Sequence, residues 1–202
     1  MADVPVFVAL QARGQAEDVG GLAYINALEQ SVISARGIKR HAEIVRARPG
    51  VPIEEVLLRG GYPELHARPE IDPLGFFQSY VATYLERDLR AQLQVGSLRD
   101  FERFLRASAL RTAQLLNRAE LSRDVGISPS TAGQWLSVLE RSGIVALLEP
   151  WFSNRTKSLV KTPKLHLHDS GLCAFLMGLG SVADLRDSPL AGQLWETLVF
   201  SE

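Results

Sequence analysis

Asn117-Arg118-Ala119-Glu120-Leu121-Ser122-Arg123-Asp124-Val125-Gly126-Ile127-Ser128-Pro129-Ser130-Thr131-Ala132-Gly133-Gln134-Trp135-Leu136-Ser137-Val138-Leu139-Glu140-Arg141-Ser142-Gly143 carries two helix starts and two helix stops in one short stretch. Asn117 is an N-cap residue with Glu120 three positions on, the spacing of a capping box. Leu121 and Val125 face a core, and Gly126 supplies a sharp turn. Ser128 caps the next helix, with Pro129 at the first position, where a missing N–H costs nothing. Ala132, Leu136 and Leu139 recur at i, i+4 and i+7 on its inner face, and Ser142-Gly143 ends it. Upstream, Phe101 to Leu116 reads as a first helix, with Phe104, Leu105 and Leu115 among its buried candidates. Downstream, Ile144–Glu149 and Leu159–Leu167 alternate as two strands joined through Ser153-Asn154-Arg155-Thr156. Helix, turn, helix and a two-stranded wing over residues 101–168 is the layout of a DNA-binding winged helix.

Charge is distributed in keeping with that layout. The 202 residues hold 22 Lys+Arg against 23 Asp+Glu, a formal net charge of −1. Residues 101–165 carry ten cations against five acids, a local +5 that leaves −6 for the rest of the chain. Ser130, Thr131 and Gln134 fall on the outer face of the third helix, with Arg141 at its far end. With Arg155, Lys157 and Lys161 of the wing they are the candidate nucleic-acid contacts, to base edges or phosphates. Weak, salt-dependent binding of duplex DNA is the expected behaviour. Against it, Arg141 is the third helix's single cation, and a winged helix also serves to dock proteins.

Enzymatic chemistry has little to stand on. The lysines are Lys39, Lys157, Lys161 and Lys164. A phosphate-binding loop needs glycine before the lysine, where Thr156 and Val160 precede the two candidates with a following Ser or Thr. A nuclease of the PD-(D/E)XK kind needs an acid two residues before a lysine, and Gly37, Arg155, Leu159 and Thr162 stand there. No Gly-x-Ser-x-Gly elbow occurs, and the lone Cys173 lies in an apolar run that suits a buried structural thiol. His166 and His168 alternate onto one strand face, a pair of possible metal ligands with no third partner in sequence; a solvated strand face is the plainer expectation. No catalytic residue, metal or cofactor is expected. Neither is a membrane, since the uncharged run from Gly171 to Ala183 is shorter than the ~20 residues a spanning helix needs. One cysteine and a start, Met1-Ala2-Asp3-Val4, without a basic leader region suit the cytoplasm.

The remaining segments are helical. Asp3-to-Arg13, Gly21-to-Gln30 and a run capped by Ser34, with Ile38, Ala42 and Val45 inward, precede a break at Pro49-Gly50-Val51-Pro52. Glu54 and Glu55 open a short helix, and Gly60-Gly61-Tyr62-Pro63 is a turn. A longer amphipathic helix is expected over Leu74–Ala91, with Phe77, Tyr80, Val81, Tyr84 and Leu85 inward and Glu86–Arg90 paired at i, i+4. Helices over Gly171–Leu179 and Leu190–Ser201 complete a mainly α fold.

Two stretches resemble known families. Leu10-Gln11-Ala12-Arg13-Gly14-Gln15-Ala16-Glu17-Asp18-Val19-Gly20-Gly21-Leu22-Ala23-Tyr24 and His41-Ala42-Glu43-Ile44-Val45-Arg46 resemble the N-terminal domain of DnaB-type replicative helicases. That resemblance implies that residues 1–49 are part of a non-catalytic helical module of DNA replication. Arg59-Gly60-Gly61-Tyr62-Pro63-Glu64, Tyr80-Val81-Ala82-Thr83-Tyr84-Leu85-Glu86-Arg87-Asp88, Arg111-Thr112-Ala113-Gln114-Leu115-Leu116-Asn117, Thr131-Ala132-Gly133-Gln134-Trp135-Leu136 and Asp169-Ser170-Gly171-Leu172 resemble the region C-terminal to the motor of prokaryotic AAA-type P-loop ATPases. This second resemblance implies a helical lid remnant over 53–100, the winged helix, and over 169–202 the start of an endonuclease-like domain. Glu196 would be that domain's first acidic position.

The sequence therefore leads to a mainly α chain with a helical N-terminal segment, a lid remnant, a winged helix and C-terminal helices. The expected function is a non-catalytic DNA-associated or protein-docking module. The alternatives are a fragment of an ATPase or nuclease whose catalytic parts are missing, and a remnant reading frame. Leu190, Leu194, Trp195, Leu198 and Val199 form a broad apolar face, so self-association through the Leu190–Ser201 helix is a further expectation.

Overall fold

The structure is a computed structural model that describes residues 51–85, 98–150 and 162–201. The 1–49 segment, the Glu86–Arg90 pair and the wing turn with Arg155, Lys157 and Lys161 lie outside those residues. In chain order the described elements are α1 (Ile53–Arg59), α2 (Pro63–Ala67), α3 (Pro73–Thr83), α4 (Leu98–Ala109), β1 (Gln114–Leu115), α5 (Arg118–Val125), α6 (Pro129–Arg141), β2 (Val145–Leu148), β3 (Lys164–Leu167), α7 (Ser170–Met177), α8 (Val182–Asp187) and α9 (Ala191–Ser201). The fold is mainly α, with one small antiparallel sheet in the order β1-β3-β2. Among the described residues no helix is long and apolar enough to cross a membrane.

Side-chain caps set most of the helix starts. Asp72, Asn117, Ser128, Asp169 and Ser181 each accept a backbone N–H of the first turn, satisfying donors that the helix itself leaves free. Gly126 and Gly143 adopt the left-handed conformations, φ 82° and 66°, that end α5 and the turn after α6. The helix α8, absent from the sequence-based expectation, has its signal in Ser181 with Asp184 three residues on.

Helix α7 is the hub. Its sequence is apolar all round, and Ser170, Gly171, Leu172, Cys173, Ala174 and Leu176 are buried. It packs against α1, α3, α4, α9 and β3. Cys173 is fully buried, which pushes its thiol far above the usual cysteine range and leaves it inert as a nucleophile. One buried cluster runs from Leu57 on α1 to Leu198 on α9 and includes the winged-helix residues Phe101, Leu121, Leu136 and Leu165.

The two ends of that core meet at Asp169. Its carboxylate accepts from the Leu172 N–H, capping α7, and from the Gly61 N–H across the fold, each at 2.7 Å. A Cβ on Gly60 would stand 2.3 Å from Asp169 Oδ1, and one on Gly171 2.7 Å from the Gly60 nitrogen. The Gly60-Gly61 and Ser170-Gly171 stretches are therefore glycine-dependent because two backbones touch there. Arg59 braces the same corner, donating to the Leu65 carbonyl at 2.8 Å and the Pro69 carbonyl at 2.9 Å.

Three expectations need correction. The first helix of the winged helix ends at Ala109, not Leu116, and Gln114–Leu115 forms a strand against β3. Thr112 decides this: its buried hydroxyl accepts from the Leu167 N–H at 3.2 Å and lies 2.6 Å from the Thr197 hydroxyl. Ala113 then turns at φ 61° and donates to the Leu165 carbonyl. Tertiary hydrogen bonds outweigh helix propensity here, and Leu115 is 65% exposed instead of buried. Second, β2 and β3 are shorter than expected, four residues each. Third, the apolar face of the last helix is not left wet. Leu194 and Leu198 are 0% and 6% exposed, on the side of α9 that meets α7, α1 and β3; of the five residues only Trp195 and Val199 stand exposed. Most of the drive for self-association through this helix is thus spent inside the chain.

Candidate nucleic-acid interface

Helices α5 and α6 form the helix-turn-helix. The inner face of α6 buries Ala132, Trp135, Leu136, Val138 and Leu139, with the Trp135 ring 5.1 Å from that of Phe101 and 5.4 Å from that of Phe104. This anchoring turns Ser130, Gln134, Ser137 and Arg141 outward, with Thr131 half-buried. Ser128 Oγ accepts from the Thr131 N–H at 3.1 Å and lies 2.9 Å from Ser130 Oγ and 2.8 Å from Thr131 Oγ1. Three hydroxyls thus gather at the N-terminus of α6; Pro129 has no N–H and Ser128 holds that of Thr131, so the first turn offers an anion these hydroxyls, the Ser130 N–H and the helix dipole. None of the exposed large apolar side chains lies on α5 or α6.

The charge balance of the motif turns on a residue outside it. Arg111, 19% exposed, pairs with Asp124 and stands 3.8 Å from Glu120. Both acids of α5 are thereby occupied. Arg118 and Arg123 on α5 and Arg141 on α6 are exposed and have no ion-pair partner among the described residues. Of the seven residues expected from sequence, Ser130, Thr131, Gln134 and Arg141 share α6, while Arg155, Lys157 and Lys161 lie outside the described residues. Arg118 and Arg123 escape a reading along the chain because Glu120 and Asp124 cancel them there. Only the fold shows those acids turned to Arg111.

His166 on β3 and His168 just past its end lie on one side, as alternation requires, but that side is covered. His166 is 1% exposed and stacks on Phe200 of α9 at 4.4 Å and 14° between planes; His168 tilts against the same ring at 5.9 Å. The expectation of a solvated strand face fails because α9 folds over it. Glu196 Oε1 lies 2.6 Å from Lys164 Nζ and 3.8 Å from His166 Nε2. Among the described residues no group of three His, Cys, Asp or Glu side chains is placed to hold a metal ion.

Burial pushes the His166 imidazole below the usual histidine range, with Glu196 opposing and Lys164 and His168 adding to the shift; burial does the same to His168. The unfolded chain thus takes up protons at a higher pH than the folded one. Folding stability should therefore fall as the pH drops through the ordinary histidine pKa of about 6.5, and level off once the folded imidazoles are protonated. Urea denaturation between pH 7.5 and 5 measures this. His166→Phe, which keeps the stack on Phe200, should flatten the slope, and an unchanged slope would show that His166 titrates alike in both states.

Comparison with known proteins adds kinship. The family described as Domain of unknown function (DUF8612) matches residues 52–183. The uncharacterized proteins Mb2031c of Mycobacterium bovis and Rv2008c of Mycobacterium tuberculosis are each 34% identical over 159 residues, which is 74% of this chain and 34% of theirs. The chain thus spans about a third of the length of the curated relatives it matches. No solved structure matches it.

Proposed function

We propose, for a chain that belongs to the DUF8612 family, that the α5–α6 face binds duplex DNA and catalyses no reaction. The observation that carries this is the outer face of α6, with exposed hydroxyl and amide groups and Arg141 on the same helix, Arg118 and Arg123 exposed on α5, and no exposed large apolar side chain on either helix of the kind that concentrates binding energy in protein interfaces. Phosphate contacts come from the three arginines and the N-terminus of α6, and base-edge contacts from Ser130 and Gln134. Arg155, Lys157 and Lys161, the wing candidates by sequence, add to the local positive charge. The resemblance to the region C-terminal to the motor of AAA-type ATPases, and to a replicative-helicase segment, supports an accessory role beside a DNA-handling motor. Relatives a little over twice as long leave room for such a motor in the same polypeptide.

Fluorescence anisotropy with a labelled duplex tests the proposal. Binding is expected at low salt with little sequence preference, log K falling by about 0.9 per phosphate contact for each unit of log salt. Arg118→Glu with Arg141→Glu should weaken binding and lower that slope by about one unit for each phosphate no longer neutralised, and Arg155→Glu with Lys157→Glu should act alike. Absence of binding at low salt, or an affinity indifferent to all four changes, would leave protein docking as the use of this face.

A further inference from the structure

The helix-turn-helix does not by itself carry the charge of a DNA-binding face. Residues 117–143 hold three arginines, Arg118, Arg123 and Arg141, against three acids, Glu120, Asp124 and Glu140. All six are exposed. Glu120 and Asp124 stand at i, i+4 on α5, a like-charge pair that repels itself and would repel a phosphate backbone.

Arg111 changes this balance from outside the motif. It follows α4, in the turn that the hydrogen bonds of Thr112 and Ala113 fix on β3. Its side chain is 19% exposed, and its guanidinium is engaged inside the fold. Nη1 donates to the Ala107 carbonyl at 3.1 Å, while Nη2 pairs with Asp124 and stands 3.8 Å from Glu120. A planar fork can meet three oxygens on two elements at once, which a lysine ammonium on a flexible stem does less well. The group thus ties the acidic stripe of α5 to the end of α4, two helices that pack together. Resting on the DNA-binding reading above, we infer that Arg111 is the residue that lets this motif attract duplex DNA. It is a positioning residue: it holds the Glu120 and Asp124 carboxylates to the end of α4 and touches no phosphate itself.

Fluorescence anisotropy on the full chain separates this role from a merely structural one. At about 50 mM salt, Arg111→Met should lower the affinity for duplex DNA roughly tenfold, the scale on which charge placed at a binding face acts. Adding Glu120→Gln and Asp124→Asn should restore the unmodified affinity and its salt dependence, because the carboxylates that Arg111 restrained are gone. Arg186→Met, which breaks the pair with Glu54 at 2.8 Å between α8 and α1, controls for a charge lost elsewhere and should bind as the unmodified chain does. Circular dichroism checks that each variant is folded. Should Arg111→Met unfold, Arg111→Lys with and without the two amides makes the same comparison, with a smaller loss expected. Arg111→Met binding as tightly as the unmodified chain would overturn the inference and leave the DNA reading standing. A folded triple variant that stays weak would overturn it too, and a log–log salt slope smaller by about one would show that Arg111 meets a phosphate directly. If the unmodified chain binds no duplex at low salt, the DNA reading itself fails and the inference falls with it.

Discussion

Leu194→Glu should abolish the fold rather than yield a folded monomer. Leu194 is 0% exposed, on the face of α9 packed against α7, α1 and β3. Removing a buried leucine side chain costs about 2–5 kcal/mol by itself, and placing a carboxylate there without a partner adds several more. A domain stable by about 5–15 kcal/mol does not absorb that sum easily. Val199→Glu, five residues on and 71% exposed, is the matched control and should change stability by no more than about 0.5 kcal/mol. Circular dichroism with light scattering behind a sizing column separates the cases. The expected result is lost helicity or aggregation for Leu194→Glu and an unmodified profile for Val199→Glu. A folded, smaller species from Leu194→Glu would instead restore self-association as the role of this face.

Asp169→Ala should be the most damaging polar substitution in the described fold. One carboxylate caps the central helix and holds the Gly60–Gly61 turn, through 2.7 Å bonds from Leu172 and Gly61. Loss of an N-cap costs about 1 kcal/mol, and loss of a hydrogen bond to a charged group about 1.5–3 kcal/mol. Together they predict a loss of about 3 kcal/mol, or roughly 6–12 °C in Tm for a chain of this size. Asp169→Asn should fall between, because its amide offers one accepting oxygen where two N–H donors converge. Urea denaturation at unchanged m reads the loss. A shift below about 0.5 kcal/mol would mean that neither bond matters to stability. Gly60→Ala should reproduce much of the effect from the other side, since its Cβ would meet Asp169 Oδ1 and its φ of 67° strains a side chain.

Local signals are legible wherever the deciding partners are near in sequence. Asn117 and Ser128 cap helices, Pro129 and Pro73 begin them, Gly126 and Ser142-Gly143 end them, and the apolar stripes of α3, α5 and α6 point inward as their spacing requires. The same arithmetic places Ser130, Gln134 and Arg141 outward. Periodicity also puts His166 and His168 on one side of the chain, His168 one residue past the end of β3. It cannot say that Phe200 lies on that side, because nothing near His166 announces α9.

The sequence by itself determined a mainly α chain, a helix-turn-helix with its polar outer face, and the lack of a phosphate loop. The first two rest on caps and periods that act within one or two helical turns, about the range over which neighbours in the chain are neighbours in space. Tertiary structure alone decided where α4 stops, which acids of α5 are silenced by Arg111, why Gly60, Gly61 and Gly171 gather around Asp169, and that α9 covers its leucines internally. In each of these the deciding partner is beyond the reach of local spacing: Thr112 and Thr197 are 85 positions apart, Gly61 and Asp169 108. A buried hydroxyl or carboxylate must find its partner wherever the packing puts one, and that choice outweighs the few tenths of a kcal/mol per residue by which local propensity leans.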